Sequence, residues 1–216
     1  MFRVLLLLLV LGFQAQAGPW PRGDGKVFLS FHGNAEASRD LLDIRQYATI
    51  YGEYGLTDTI TLGVDYSGSE LGTDKAIAFV RIPIANGDRQ LRFSAELGIG
   101  LVDGENALRP GVSVGRGVSM RGRHGWITLD TRLVLPGGEA NQRLEADFTF
   151  GLSISKRFKA ILQLQGGMPS EGDRYLKFAP SVVFERKPGK YFELGVVTGI
   201  QNYDAYGVKF GIWKEF

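Results

Sequence analysis

Strict alternation of side chains limits the fold of this sequence more than any other feature. The stretch TDTITLGVDYSG, residues 57–68, places Ile60, Leu62, Val64 and Tyr66 at every second position, with small or polar residues between them. Successive side chains of a β-strand point to opposite faces, so the stretch predicts a strand that is apolar on one face and polar on the other. The rest of the chain must show which of these faces is turned inward.

The same alternation recurs along most of the chain. The clearest other examples are QLRFSAELGIGL, residues 90–101, and RLEADFTFGLSI, residues 143–154. In both, Leu, Phe, Ala and Ile alternate with charged residues, Ser, Thr and Gly. The pattern predicts an all-β chain of twelve strands, near residues 26–32, 44–54, 59–67, 75–84, 90–102, 110–119, 126–135, 144–154, 158–165, 175–185, 191–200 and 207–216.

The connections between these strands differ in length on alternate sides. The even-numbered strands end in short links, most of which contain the Gly, Asn or Asp that tight turns need, at residues 55–58, 85–88, 121–124, 155–157 and 186–189. The odd-numbered strands end in somewhat longer polar loops, the longest at residues 33–43. Short turns at one end and longer loops at the other are typical of an antiparallel up-and-down transmembrane β-barrel of the outer-membrane kind.

The polar face carries the charges that decide which face lies inside. It presents Asp65, Arg81, Arg92, Glu96, Asp130, Arg132, Glu145, Asp147, Lys159, Lys177, Glu185, Glu193 and Lys209. We also assign Arg45 and Glu53 to this face, by analogy with the neighbouring strands. A soluble lipocalin-like barrel would bury the apolar face and turn the Gly-rich polar face to solvent. A transmembrane barrel instead turns the apolar face to lipid and needs small residues in its crowded interior. We favour the transmembrane barrel, with these charged residues lining the lumen.

The N-terminus has the pattern of a cleavable secretory signal. Arg3 precedes an apolar run, and Ala15-Gln16-Ala17 supplies the small residues of a cleavage site. The run is too short for a spanning helix, and a buried N-terminal helix is the alternative. We expect residues 1–17 to be removed, residues 18–25 to form a periplasmic tail, and residues 26–216 to form a barrel with both termini in the periplasm. The sequence has no Cys, which excludes disulfides, thiolate metal sites and Cys nucleophiles.

The last ten residues, GVKFGIWKEF, alternate as far as the C-terminus. Phe210, Ile212 and the terminal Phe216 share one phase, whereas Lys214 occupies an in-phase position and Trp213 lies out of phase. This ending resembles the closing strand of bacterial outer-membrane β-barrel proteins. The resemblance implies that Phe210, Ile212 and Phe216 are read by the barrel-assembly machinery, and that outer-membrane lipid and lipopolysaccharide surround the chain. A Lys near a membrane boundary can extend its ammonium group to water, so Lys214 is compatible with this assignment.

Few residues could carry catalysis. Ser113 lies in GVSVG, which matches a nucleophile elbow, but the motif falls inside an alternating strand and not at a strand-to-helix turn. His124 falls in a short turn between arginines, and His32 with Asn34 is the one seed for a lipid-hydrolysing site near the outer rim. GIGLVDG, residues 98–104, lacks the helix that dinucleotide binding requires. No metal-ligand spacing stands out, so we expect neither a metal nor a cofactor.

Charge and barrel size limit the function. The formal net charge of +2, which falls to +1 when Arg3 leaves with the signal, argues against a nucleic-acid partner. A barrel of about twelve strands lies between filled eight-stranded barrels and open sixteen-stranded porins. Folding the hairpin at PGGEANQR about its midpoint sets Arg132 roughly opposite Asp147, with Glu145 and Asp130 close by. We expect paired charges and Tyr or Trp side chains to leave at most a narrow passage.

The function that the sequence favours is therefore a narrow channel or transporter for a small solute, whose identity the sequence does not give. The stretch YGEYGLTDTITLGVDY, residues 51–66, is loosely similar to the hairpins of phenol meta-degradation transporter-type barrels. Two alternatives stay open. One is an outer-membrane hydrolase that modifies lipid or lipopolysaccharide, and the other is a structural barrel with a sealed lumen.

Overall fold

The structure of the protein is a computed structural model that describes residues 18–38, 43–86, 91–138 and 141–216. The predicted signal sequence, residues 1–17, lies outside these ranges. Within the described part of the chain, no helix has the length and apolarity needed to cross a membrane.

Thirteen β-strands follow one another along the described chain. They are β1 (Val27–Ser38), β2 (Ile44–Gly55), β3 (Thr61–Ser69), β4 (Gly72–Asn86), β5 (Arg92–Val102), β6 (Glu105–Met120), β7 (Arg123–Pro136), β8 (Arg143–Ser153), β9 (Phe158–Pro169), β10 (Tyr175–Phe178), β11 (Ser181–Lys187), β12 (Lys190–Gln201) and β13 (Ala205–Glu215). We call the end of the barrel where β1 begins and β13 ends the terminal end, and the opposite end the distal end.

Adjacent strands pair antiparallel, and β13 pairs with β1, which closes the sheet into a barrel. β10 and β11 are two halves of one barrel strand, since both pair with β9 on one side and with β12 on the other. Pro180 lies between the halves, and a proline has no backbone N–H to donate to the ladder. The barrel therefore has twelve strands, and the predicted all-β, antiparallel, up-and-down barrel is confirmed.

The connections are short at both ends of the barrel. At the distal end, residues 70–71 alone join β3 to β4, and residues 103–104 alone join β5 to β6. The predicted long loop at residues 33–43 is wrong over its first half, because β1 continues as far as Ser38 and pairs there with both β2 and β13. This part of β1 contains small residues such as Gly and Ala, so it lacks the alternation of large apolar residues that indicates the other strands.

The outer surface of the barrel is apolar. On β3, Val64 is 50% exposed while Thr61 is fully buried, and on β12, Leu194 is 66% exposed while Glu193 is 2% exposed. The same division of faces holds on β8, where Phe148 is exposed and the adjacent threonine is buried. The apolar face is therefore the outside of the barrel and the polar face is the inside, as a lipid-facing barrel requires.

The three residues of the predicted assembly signal lie on this outer face. Phe210, Ile212 and Phe216 are each about half exposed on or just beyond β13, next to the closing seam with β1. The Lys214 ammonium lies 4.6 Å from the centre of the Phe216 ring, at the terminal end. Whether any machinery reads these residues stays a prediction.

The chain enters the barrel before β1 begins. The sequence predicts a periplasmic tail at residues 18–25, but the structure places Gly18–Arg22 inside the terminal end of the lumen. The turn that brings the chain back to β1 contains Gly23 and Gly25, with φ angles of 87° and 66°. Glycine adopts these left-handed angles without strain, which lets the chain reverse sharply at the barrel opening.

Candidate functional site in the barrel lumen

The strand register places the predicted polar face in the lumen. The most buried of these residues are Arg81, Glu96, Asp130 and Glu193, each at most 6% exposed. Arg92 has the same phase, but its side chain is exposed near the terminal end of β5. The remaining members project from the inner wall, namely Asp65, Arg132, Glu145, Asp147, Lys159, Lys177, Glu185 and Lys209. Arg45 and Glu53 also lie on this face, directly across the ladder from Glu36 and Phe28.

A chain of ion pairs runs along the wall formed by β2 to β6. The Arg81 guanidinium lies between two carboxylates, 2.6 Å from Glu53 and 2.7 Å from Glu96. It also donates a hydrogen bond of 3.0 Å to the Tyr51 hydroxyl. The side chains of Arg81 and its two carboxylate partners are at most 4% exposed. A charge so deeply buried costs several kcal/mol unless it is paired, which explains why each has a partner.

Arg109 extends this chain of ion pairs, although it lies outside the strand predicted from the sequence. The predicted strand starts at residue 110, whereas β6 begins earlier and includes Arg109. Its side chain is 1% exposed and binds both Asp65 and Glu96, the second at 3.0 Å. Lys75 approaches the same Asp65 carboxylate at 2.8 Å. The alternation already visible at Gly111 extends back to Arg109 and could have revealed it.

Arg132 and Asp147 are paired, but diagonally. The register of β7 and β8 sets Arg132 opposite Glu145, and sets Asp147 opposite Asp130. The Arg132 guanidinium reaches Asp147 at 3.2 Å and Glu96 at 3.6 Å. The predicted, roughly opposite position of Arg132 and Asp147 differs from the observed register by two residues, because the midpoint of PGGEANQR is not the midpoint of the hairpin. A shift of two residues keeps every side chain on its own face, so both residues still reach the lumen.

The lumen also contains apolar clusters that the alternation did not predict. One, the terminal cluster, comprises Phe28, Trp126, Ile161, Val183, Tyr191 and Trp213. The other, the side cluster on β4 to β7, comprises Ile77, Phe79, Val102, Ala107 and Val134. Tyr51 packs against both. The interior is therefore filled by rings and aliphatic side chains as well as by ion pairs.

Glycines on neighbouring strands make room for these rings. A Cβ atom at Gly63 would lie 2.1 Å from the Phe79 ring, and one at Gly151 would lie 2.2 Å from the Trp126 ring. Both distances are far below van der Waals contact, so any side chain there would displace the ring. The high glycine content of the polar face therefore reflects space inside the barrel, as the sequence analysis expects.

His32 lies in the lumen beside a buried carboxylate. Glu193 is 2.7 Å from the His32 imidazole, 2.6 Å from the Lys209 ammonium, and accepts a hydrogen bond of 2.8 Å from the Trp213 indole. Trp213 therefore faces inward, which explains its position out of phase with the apolar residues of the last strand. This group fixes the junction of β12, β13 and β1, where the barrel closes.

The candidate hydrolase residues do not come together. Ser113 donates a hydrogen bond of 2.5 Å to Asp130, and Asn34 donates one to the Tyr47 carbonyl. Among the residues that the structure describes, no serine hydroxyl bonds to His32, which a serine nucleophile would require. The described chain also contains no group of three or more His, Asp or Glu side chains that could hold a metal ion.

Aromatic and charged side chains meet at the distal mouth of the lumen. The Tyr47 hydroxyl donates to Glu36 at 2.5 Å, and Tyr203 donates to the other oxygen of the same carboxylate. The Lys177 ammonium lies 4.4 Å from the centre of the Tyr203 ring and 5.7 Å from that of Tyr175. Tyr203 belongs to the connection between β12 and β13, where burial and its bond to Glu36 raise its pKa above the ordinary value. Its hydroxyl therefore stays protonated and donates to Glu36.

No protein-family model matches this chain, and no curated protein matches it. Solved structures do match it. The KdgM porin in complex with disordered oligogalacturonate has a TM-score of 0.64 and 6% identity, with 88% of this chain and 99% of that chain covered. The NanC porin has a TM-score of 0.65 and 9% identity, with 86% and 98% covered. The COG4313 outer membrane channel from Pseudomonas putida F1 has a TM-score of 0.57 and 10% identity, with 94% and 100% covered. At these identities the likeness shows the fold, which is a barrel of the outer-membrane porin kind.

Proposed function

We propose that the protein is a narrow outer-membrane channel for small solutes. The observation that carries the proposal is a closed barrel whose outer surface is apolar and whose lumen is lined by paired charges. Lipid satisfies the apolar surface, and the closed ladder leaves no strand edge unpaired. Similarity to structures described as porins or as an outer membrane channel supports this function.

The filling of the lumen makes the passage narrow. Ion pairs extend from β2 to β8, the terminal and side clusters occupy further space, and Gly18–Arg22 lies in the terminal end. Because the buried acids and bases largely neutralise one another, the lumen offers no continuous track of one charge. The solutes that suit it are small and polar. The oligogalacturonate of the KdgM structure is a ligand of that porin, and the pairing of charges here argues against a lumen specialised for polyanions.

The location and partners follow from the same proposal. Removal of residues 1–17 would leave Gly18 as the first residue, with both chain ends at the terminal end facing the periplasm. The barrel-assembly machinery would recognise the last strand, and lipid and lipopolysaccharide would contact the apolar surface. Intact-mass measurement of the protein from outer membranes tests the predicted cleavage before Gly18.

Single-channel recording in planar bilayers tests the function. We expect small unitary currents from the wild-type protein, and larger ones when Arg132→Ala and Asp147→Ala are combined, because that pair, joined at 3.2 Å, projects into the lumen. As a control, Arg186→Ala removes an exposed charge outside the lumen and should leave the unitary conductance unchanged.

Two results would contradict the proposal. Absence of current from both the wild-type protein and the double variant would indicate a sealed structural barrel. Hydrolysis of lipid by purified protein, lost in His32→Ala, would instead favour the enzyme.

A further inference from the structure

The segment Gly18–Arg22 fills a slot inside the terminal end of the lumen. Pro19 is fully buried, and Trp20 packs against the terminal cluster. The Gly18 carbonyl accepts a hydrogen bond of 3.2 Å from Arg81, the central arginine of the ion-pair chain. The segment therefore touches the lumen's charged wall and its aromatic residues at the same time.

Arg22 holds the segment in place. Its guanidinium forms an ion pair with Glu53, with 2.8 Å between Nε and the carboxylate, and lies 4.9 Å from the centre of the Phe28 ring. Its backbone N–H donates to the Thr61 hydroxyl at 2.9 Å. A carboxylate beside an aromatic face is a suitable cradle for a guanidinium, because both attract its positive charge. The Glu53 carboxylate lies at the entrance to the ion-pair chain, so Arg22 closes that chain at the terminal end.

The barrel does not need this segment for its own backbone pairing. The bonds that tie Gly18–Arg22 to the wall run to side chains of Thr61, Arg81 and Glu53, whereas the ladder from β1 to β13 is complete without them. Two of the five residues are prolines, which have no backbone N–H, so few donors lose partners when the segment leaves. The glycine-containing turn at Gly23–Gly25 supplies a joint at its end.

We propose that Gly18–Arg22 is a displaceable plug that closes the terminal opening of the lumen and is held there by Arg22 in the cradle of Glu53 and Phe28. This inference rests on the proposed channel function and adds a gate to the channel. With the plug seated, Trp20 and Pro19 occupy the terminal end of the lumen. With the plug withdrawn, the passage is limited by the ion pairs of the wall and by the terminal and side clusters.

The experiment compares plug variants with lumen variants in planar bilayers. Trp20→Ala and Arg22→Ala, alone and combined, should increase the fraction of time spent open, with the combined variant open several times longer than the wild type. Arg22→Lys keeps the charge but loses the guanidinium group, two nitrogens of which donate to one Glu53 oxygen, and should lie between the wild type and Arg22→Ala. Arg186→Ala, which removes an exposed arginine at the same end of the barrel, is the matched control and should behave like the wild type. Heat-modifiable migration on gels shows that each variant folds.

Hydrogen exchange of the folded wild-type protein gives a second measurement. The amides of Trp20 and Arg22 should exchange more slowly than that of Asp24 in the exposed turn, and Arg22→Ala should speed their exchange without changing that of β1. Two results together would contradict the plug but not the channel function. These are an open fraction equal to that of the wild type in every plug variant, and larger currents from the Arg132→Ala and Asp147→Ala double variant. Absence of current from all variants, including that double variant, would contradict both the channel function and the plug.

Discussion

Charged side chains inside the barrel stabilise it only as sets. Arg81 contacts Glu53 and Glu96, and each of these carboxylates has further arginine partners, namely Arg22 for Glu53 and Arg109 and Arg132 for Glu96. Removal of Arg81 from this set leaves two buried carboxylates with less positive charge beside them, and water cannot easily reach them to compensate. The stability of the terminal half of the barrel should therefore depend strongly on the central arginine.

Arg81→Met tests this dependence, because Met preserves most of the volume but not the charge. We expect the free energy of unfolding to fall by about 3–5 kcal/mol, the usual cost of breaking a buried pair. Urea titration of protein folded into lipid vesicles measures it. Combining Arg81→Met with Glu96→Gln should restore part of the loss, whereas Arg186→Met, at an exposed site, should change stability by less than about 0.5 kcal/mol. An Arg81→Met variant as stable as the wild type would show that this charge contributes nothing to stability.

The sequence identified the charged lumen residues better than the apolar ones. Alternation places a residue on a face but does not indicate what that face contacts, so it does not predict the burial of Ile77 and Phe79, which are in phase with Arg81. Their fit depends on Gly98 and Gly63 across the ladder, and such long-range complementarity has no local signal. Burial of these two apolar residues inside the barrel is a property of the three-dimensional packing.

Strands were easier to predict than their partners. A register shift of two residues leaves every side chain on the same face of the sheet. The predicted face of Arg132 is therefore correct although the predicted β7–β8 register is not. The same argument explains why the break at Pro180 did not disturb the twelve-strand count: β10 and β11 follow one line across the barrel wall. Register and strand ends depend on the geometry of the connecting loop. The length of the loop sequence PGGEANQR does not by itself determine that geometry.

The lipid-facing side of a strand has its own test on β8. Phe148 lies at the middle of β8 and is 39% exposed on the outer surface. If position 148 lies near the bilayer midplane, Phe148→Arg should lower the free energy of unfolding from lipid vesicles by about 2–4 kcal/mol, which destabilises the barrel. Phe148→Leu keeps an apolar side chain at the same place and should cost much less. Equal losses for the two variants would mean that the position is sensitive to packing and not to lipid.

The molecule as a whole combines a closed apolar exterior with an interior of nearly balanced charge. Most acids of the lumen wall are paired with bases, so no single sign dominates the field along the passage. The plug adds one arginine at the terminal end, while Lys177 stands among tyrosines at the distal mouth. Weak ion selectivity should follow, and the mouths should influence it more readily than the paired wall between them.

Lys177→Glu tests this balance at the distal mouth. In the wild-type protein we expect a reversal potential close to zero in a potassium chloride gradient, because the wall charges neutralise one another. The Lys177 ammonium lies 4.4 Å from the centre of the Tyr203 ring, whose hydroxyl binds Glu36, so its replacement by a carboxylate places two acids at one mouth. The reversal potential should then shift toward the value for cations, and the shift should shrink at high salt as screening increases. Lys156→Glu makes the same change of charge in the exposed β8–β9 connection and should shift it far less. A strongly selective wild-type channel would show that the wall charges do not neutralise one another. Identical shifts of the reversal potential in both variants would show that ions do not pass close to Lys177.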